Sequence, residues 1–134
     1  MRAVLDTNVL ISALLFPGGA PEDVYRLALE RRIQLVGSRT LLAELGAVLE
    51  SKFGWEPDRV ESAVAQLTRV AELVEPAARV SEVAADPADN RVLEAAESGQ
   101  AEVIVSGDQH LLALVRWRGI RIDSPREFLE RMAR

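Results

Sequence analysis

The chain of 134 residues has no cysteine and one histidine, His110. The first absence removes disulfide scaffolds, thiolate zinc sites and thiol nucleophiles together. The second leaves no paired imidazoles for acid–base work and no His-rich metal site. No apolar run approaches the ~18–20 residues of a membrane span, and the N-terminus lacks the charged segment and cleavage site of a secretion signal. A soluble, cytoplasmic protein with no membrane partner is therefore expected. Lysine is nearly missing as well: of sixteen Lys+Arg, only Lys52 is not arginine. Arginine suits planar, bidentate phosphate contacts, although codon bias produces the same composition.

What is present is a 49% hydrophobic chain with a formal net charge of −5. Its length fits one domain, residues 1–134, with enough buried surface for a self-sufficient core. The charge is uneven. Residues 109–134 hold six Arg against three acids, and residues 1–108 hold ten Lys+Arg against eighteen acids. Between Glu82 and Asp108 there are seven acids and one base, Arg91. A solvated acidic helix face explains this; so does a focus of carboxylates that attracts cations.

The apolar run Ala3-Val4-Leu5 predicts a strand, and Asp6-Thr7-Asn8 opens a buried helix over 9–15. Turn chemistry at 16–21 precedes a helix over 22–31, and 33–36 reads as a strand. Ser38 caps a helix to about 51, Pro57 starts another over 58–71, and a short strand is expected at 73–74. Asp86-Pro87 begins a helix ending near Gly99, followed by a buried strand at 103–105. A helix is expected over 109–118, a strand at 120–122, and a terminal helix after Ser124-Pro125. This alternation predicts an α/β fold: a doubly wound parallel sheet with helices on both faces.

In such a sheet, ligands bind beyond the carboxyl ends of the strands. Asp6 follows the first strand directly, and Asp108 follows the 103–105 strand after Ser106-Gly107, so both belong at one edge. Each has a plainer alternative as a helix N-cap. In the helix after Ser38, Glu44 falls on the flank of the stripe formed by Leu41, Leu45, Val48 and Leu49, whereas Glu50 points away. Asp89, Val92, Leu93 and Ala96 follow i, i+3, i+4, i+7 spacing along a buried face. A carboxylate there needs a partner or a cation, unless Asp86 and Asp89 form a capping box. Four carboxylates at one edge repel one another; two charges 4 Å apart do so by roughly 4 kcal/mol at an effective dielectric of 20. All-oxygen ligands select Mg²⁺ or Mn²⁺, and such a site hydrolyses phosphodiesters without histidine.

The stretch from Leu5-Asp6-Thr7-Asn8 to Leu14, then Glu44, then Asp86-Pro87-Ala88-Asp89-Asn90, then Val103 to Asp108, resembles the PIN domain. More narrowly, the chain is similar to VapC toxins of toxin–antitoxin pairs. The ordered acids, 38, 45 and 19 positions apart, carry the likeness. It implies a PIN-like three-layer fold with a five-stranded parallel sheet, order 3-2-1-4-5. It also implies a Mg²⁺- or Mn²⁺-dependent ribonuclease with one or two ions on Asp6, Glu44, Asp89 and Asp108, supported by Asn8 and Ser106. A small protein antitoxin and a homodimer are implied partners. Leu111-Leu112 stands where many relatives carry a further acid, and Asp86 is an extra acid with no assigned role.

Two other classes compete. A non-catalytic PIN-fold module would hold RNA or a protein partner without turnover. Acyl-phosphate chemistry would need a second Asp in Asp6-Thr7-Asn8, or a Lys after a late strand, and neither is present. Arg39, Arg116 and Arg118, with Arg121 and Arg126, are candidate RNA contacts or simply exposed side chains. Trp55 and Trp117 can stack on bases or pack in the core. His110 can touch a phosphate or lie on plain surface. Leu27, Leu29 and Phe53-Gly54-Trp55 are candidate apolar surface for self-association.

Overall fold

The computed structural model describes residues 1–77, 79–81 and 86–134. Glu82, counted in the acidic stretch above, lies outside the described residues. The chain begins with β1 (Arg2–Leu5), α1 (Thr7–Leu15), α2 (Ala20–Leu29), β2 (Gln34–Gly37), α3 (Arg39–Phe53), α4 (Pro57–Val70) and β3 (Ala71–Leu73). It continues with α5 (Pro87–Ser98), β4 (Val103–Val105), α6 (Gln109–Leu112), β5 (Arg116–Trp117), β6 (Ile120–Asp123) and α7 (Pro125–Met132). Among the described residues, no helix is long and apolar enough to cross a membrane.

Strand alternation builds the two cores. Ala3, Leu5, Leu35, Val103 and Val105 join one apolar cluster with residues of α1 to α4 and α7. Val4, Val36, Ile104 and Ile122 face the other way, into a second cluster with Val92, Leu93 and Ala96 of α5. Because successive side chains of a strand point to opposite faces, runs such as Val103-Ile104-Val105 are apolar on both sides. The layers are thus helices, sheet, helices.

The sheet order is β3-β2-β1-β4-β6-β5. The expected parallel order is present in its first five strands, with β6 in the fifth place. One expectation fails here. The helix expected over 109–118 stops at Leu112, and Arg116–Trp117 forms a sixth strand, antiparallel to β6. The cause is local. Val115, Arg118 and Gly119 have φ of 60°, 49° and 81°, so the chain leaves the right-handed helical region twice. Consecutive positive φ values at Arg118-Gly119 close the tight hairpin that Trp117 and Ile120 flank, the turn whose twist matches paired strands. Trp117 is accordingly a buried strand residue rather than a helical one.

Candidate metal and nucleic-acid site

The strand order reverses between β1 and β4, the point at which α/β sheets leave a crevice beyond their carboxyl ends. Leu5 is in register with Val105, and the next residues carry the polar chemistry. Asp6 N donates to Val105 O at 2.9 Å. The Ser106 hydroxyl, wholly buried, donates to Asp6 Oδ2 at 2.7 Å and accepts from Asp108 N at 2.9 Å. Asn8 Oδ1 accepts from Gly107 N at 3.2 Å, tying the loop after β4 to the first turn of α1. A register fixed by apolar strands therefore sets the distance between Asp6 and Asp108.

The two capping alternatives resolve differently. Asp6 is the N-cap residue of α1 without a side-chain cap bond; its backbone carbonyl accepts from Val9 N and Leu10 N. Asp108 does cap, its Oδ1 accepting from His110 N at 2.7 Å and Leu111 N at 3.3 Å. On α5, Asp86 takes the cap, accepting from Ala88 N at 3.0 Å. Asp89 is only 4% exposed, with Oδ2 buried and lacking a hydrogen-bond partner among the described residues.

The acids shift one another's titration. Burial raises the Asp6 pKa; the Ser106 hydroxyl and Thr7 amide oppose this, while the charges of Asp108 and Asp86 add to it. Glu44, half-buried on α3, is raised by burial and then by Asp6 and Asp86. Asp89 is pushed up to about 8, first by burial, next by a hydrogen bond shared with Asp108, then by the charges of Asp108, Asp6 and Asp86. Asp6, Glu44, Asp89 and Asp108, which lie before α1, on α3, on α5 and in the β4–α6 loop, are thus electrostatically linked, with Asp86 as a fifth acid in the set.

Ligand-capable atoms of Asp89, Asp108 and His110 lie within 4.8 Å of one another, and His110 Nδ1 is 3.5 Å from Asp108 Oδ1. A lone, exposed histidine gave no sequence signal for this, because its approach depends on the α6 cap. Arginines do not quench the cluster: the ion pairs among the described residues join no Arg or Lys to Asp6, Glu44 or Asp89. Asp123 differs. It ends β6, is 1% exposed and binds Arg121 Nε at 2.9 Å and Arg131 Nε at 3.1 Å. Sequence reasoning passed over Asp123, which looks like an ordinary residue before the Ser124 cap.

The basic candidates are spread over several elements, with Arg116 and Arg121 paired across β5 and β6. Arg39 lines an apolar groove of about 780 Å³ between α3 and α4. Arg118 pairs with Glu97 at 2.6 Å and sits over the Trp117 ring at 4.4 Å. Arg116 is exposed on β5. Trp55 is buried beneath Arg59, whose guanidinium lies 3.6 Å from its ring centre, so both tryptophans pack.

Residues 2–110 match the family model of the PIN domain, and the chain belongs to that family. Proteins of this family are typically nucleases, and PIN nucleases usually use divalent metals. The chain is 28% identical over 142 residues to the uncharacterized protein MJ1680 of Methanocaldococcus jannaschii, covering 97% of this chain and 90% of the relative. Its fold is similar to a chain in the crystal structure of VapBC2 from Rickettsia felis bound to a DNA fragment from their promoter. That match has a TM-score of 0.65 and 17% identity, and covers 92% of this chain and 98% of the other.

Proposed function

We propose that this protein is a metal-dependent ribonuclease that hydrolyses RNA phosphodiester bonds, with Asp6, Glu44, Asp89 and Asp108 as its metal-holding carboxylates. The observation that carries the reading is Asp89 Oδ2, a carboxylate oxygen buried among other acids with no partner among the described residues. A buried polar atom without a partner is costly, and a hard divalent cation, which prefers oxygen ligands, satisfies it. One or two Mg²⁺ or Mn²⁺ ions held there would supply charge neutralisation for the phosphodiester and activation of water.

The chain's own residues prepare this site. Ser106 fixes the Asp6 carboxylate by a hydrogen bond at 2.7 Å, and Asn8 secures the Gly107 backbone beside it. The Asp108 cap holds one carboxylate oxygen toward α6, which orients the other. Asp89, with a pKa of about 8, carries a proton at neutral pH that must leave when a cation arrives.

Extending this reading, the protein acts in the cytoplasm as the toxin of a toxin–antitoxin pair, with a small protein antitoxin and a homodimeric assembly. The test is RNA breakdown by purified protein with Mn²⁺ and with EDTA, beside Asp6→Asn. Cleavage that needs Mn²⁺ and disappears in Asp6→Asn supports it. Equal cleavage by both proteins refutes it. Absent cleavage with retained RNA binding favours the non-catalytic module, a reading that Leu111 supports: it is buried in the core where many relatives place a further acid.

A further inference from the structure

A second cavity, about 300 Å³, gathers arginines at the end of α6. Arg116 of β5, Arg121 of β6 and Arg131 of α7 line it, together with Asp123 and Glu127. Arg116 and Arg121 are direct partners in the antiparallel ladder, so their side chains share one face. Like charges placed directly opposite in a sheet repel. Asp123 is shared by Arg121 and Arg131, both through Nε. Glu127 Oε1 is taken by Ser124 N at 2.9 Å. Two carboxylates already in use therefore face three guanidiniums, and Arg121 Nη2 is buried without a partner among the described residues.

The backbone is strained to achieve this. Val115 is β-branched and 64% exposed yet has φ of 60°, a conformation unfavourable for such residues. Its carbonyl accepts from Ile122 N at 3.0 Å, which locks the strained residue into the hairpin and sets Arg116 on the cavity wall. Burial contributes little to holding Val115 there. Strain of this kind clusters at ligand clamps.

We propose that Arg116, Arg121 and Arg131 form a phosphate subsite that holds a backbone phosphodiester of the RNA strand next to the acidic site. This rests on the ribonuclease reading for its ligand. Guanidinium forks match phosphate oxygens, and Arg116, exposed on β5, forms no ion pair among the described residues. The two sites are neighbours. Asp108 caps the start of α6 and Leu112, its last residue, lines the cavity, a rise of roughly 6 Å. Ser106 N, at the acidic site, donates to Asp123 O at 2.9 Å. One strand can therefore rest on the arginines while it crosses the carboxylates.

The experiment is fluorescence anisotropy of a labelled single-stranded RNA 12-mer in EDTA, across a series of KCl concentrations, with no turnover. Arg116→Ala is expected to weaken binding roughly fivefold and to flatten the salt dependence by about 0.7 in log–log slope, the loss of one phosphate contact. Arg69→Ala, on α4 and outside the cavity, serves as the control and leaves both unchanged. Arg121→Lys keeps the charge but loses the fork, and also weakens binding; should it fail to fold, Arg116→Ala decides. Inorganic phosphate, added at constant ionic strength, displaces RNA from the native protein more than from Arg116→Ala. Equal affinity and slope for Arg116→Ala and the native protein overturn the subsite. So does phosphate that binds at Arg116 without competing with RNA. Cleavage plays no part in this readout, so loss of the nuclease reading in the Asp6→Asn assay leaves the result separately visible.

Discussion

The Ser106 hydroxyl is one hundred residues from Asp6 in the chain and donates to its Oδ2 at 2.7 Å. Ser106 Oγ in turn accepts from Asp108 N, so one buried hydroxyl positions two acids. Ser106→Ala is expected to cost about 1–2 kcal/mol, because it leaves a buried acceptor and donor short of partners. If the carboxylates hold Mn²⁺, its affinity should also fall roughly 10–100-fold, as when an outer partner of a ligand is removed. Thermal melts in EDTA and a Mn²⁺ titration check both; identical values for the two proteins would deny the hydroxyl this role.

The acids should give the metal-free protein an inverted pH dependence. Asp89 titrates near 8 in the fold against roughly 3.9 when unfolded, so the folded state binds the proton more tightly. Stability from this group is complete below about pH 4 and is lost as pH rises through 8. Asp6 and Glu44, raised in the same direction, add to the trend. Melting temperature in EDTA should therefore fall between pH 6 and 8.5, and Asp89→Asn should flatten the fall. Mn²⁺ should reverse it, because cation binding displaces the proton. A melting temperature that climbs over this range in EDTA contradicts the assignment.

Gly99, just after α5, has no room for a methyl group. A Cβ there would lie 2.3 Å from Val36 Cγ1 and 3.1 Å from Ala95 O. Val36 is 1% exposed within the second core and has nowhere to go. Gly99→Ala is expected to destabilise by about 1–3 kcal/mol through overpacking, read as a lower urea midpoint with unchanged slope.

Val115 predicts the opposite sign. Left-handed backbone at an L-residue costs roughly 1–2 kcal/mol, and asparagine tolerates it better. Val115→Asn, at a 64% exposed position, should raise stability by about 1 kcal/mol. That corresponds to roughly 3–5 °C in melting temperature for a chain of this size. A lower melting temperature would mean that the Val115 side chain contributes packing which outweighs the strain.

Much of the architecture was written into local pattern. The apolar strand runs, the Ser38 and Ser124 caps and the prolines at helix starts each act over a few residues, and each names its element. The 109–118 segment misled because Leu111, Leu112, Leu114 and Val115 satisfy a helical period. Backbone conformation at Val115 and pairing with β6 override that period, and neither is encoded in spacing.

The order of residues alone determined that Asp6 and Asp108 follow strands, that Asp89 lies on an apolar helix face, and that cysteine and histidine chemistry are largely closed to this chain. Tertiary structure decided which buried acids are paired with a cation of the chain's own. Asp123 is as buried as Asp89, yet two arginines neutralise it, whereas Asp89 Oδ2 has no partner among the described residues. The difference is one of three-dimensional proximity. An ion pair forms across a few ångströms of folded space, and residue spacing along the chain carries no measure of that distance.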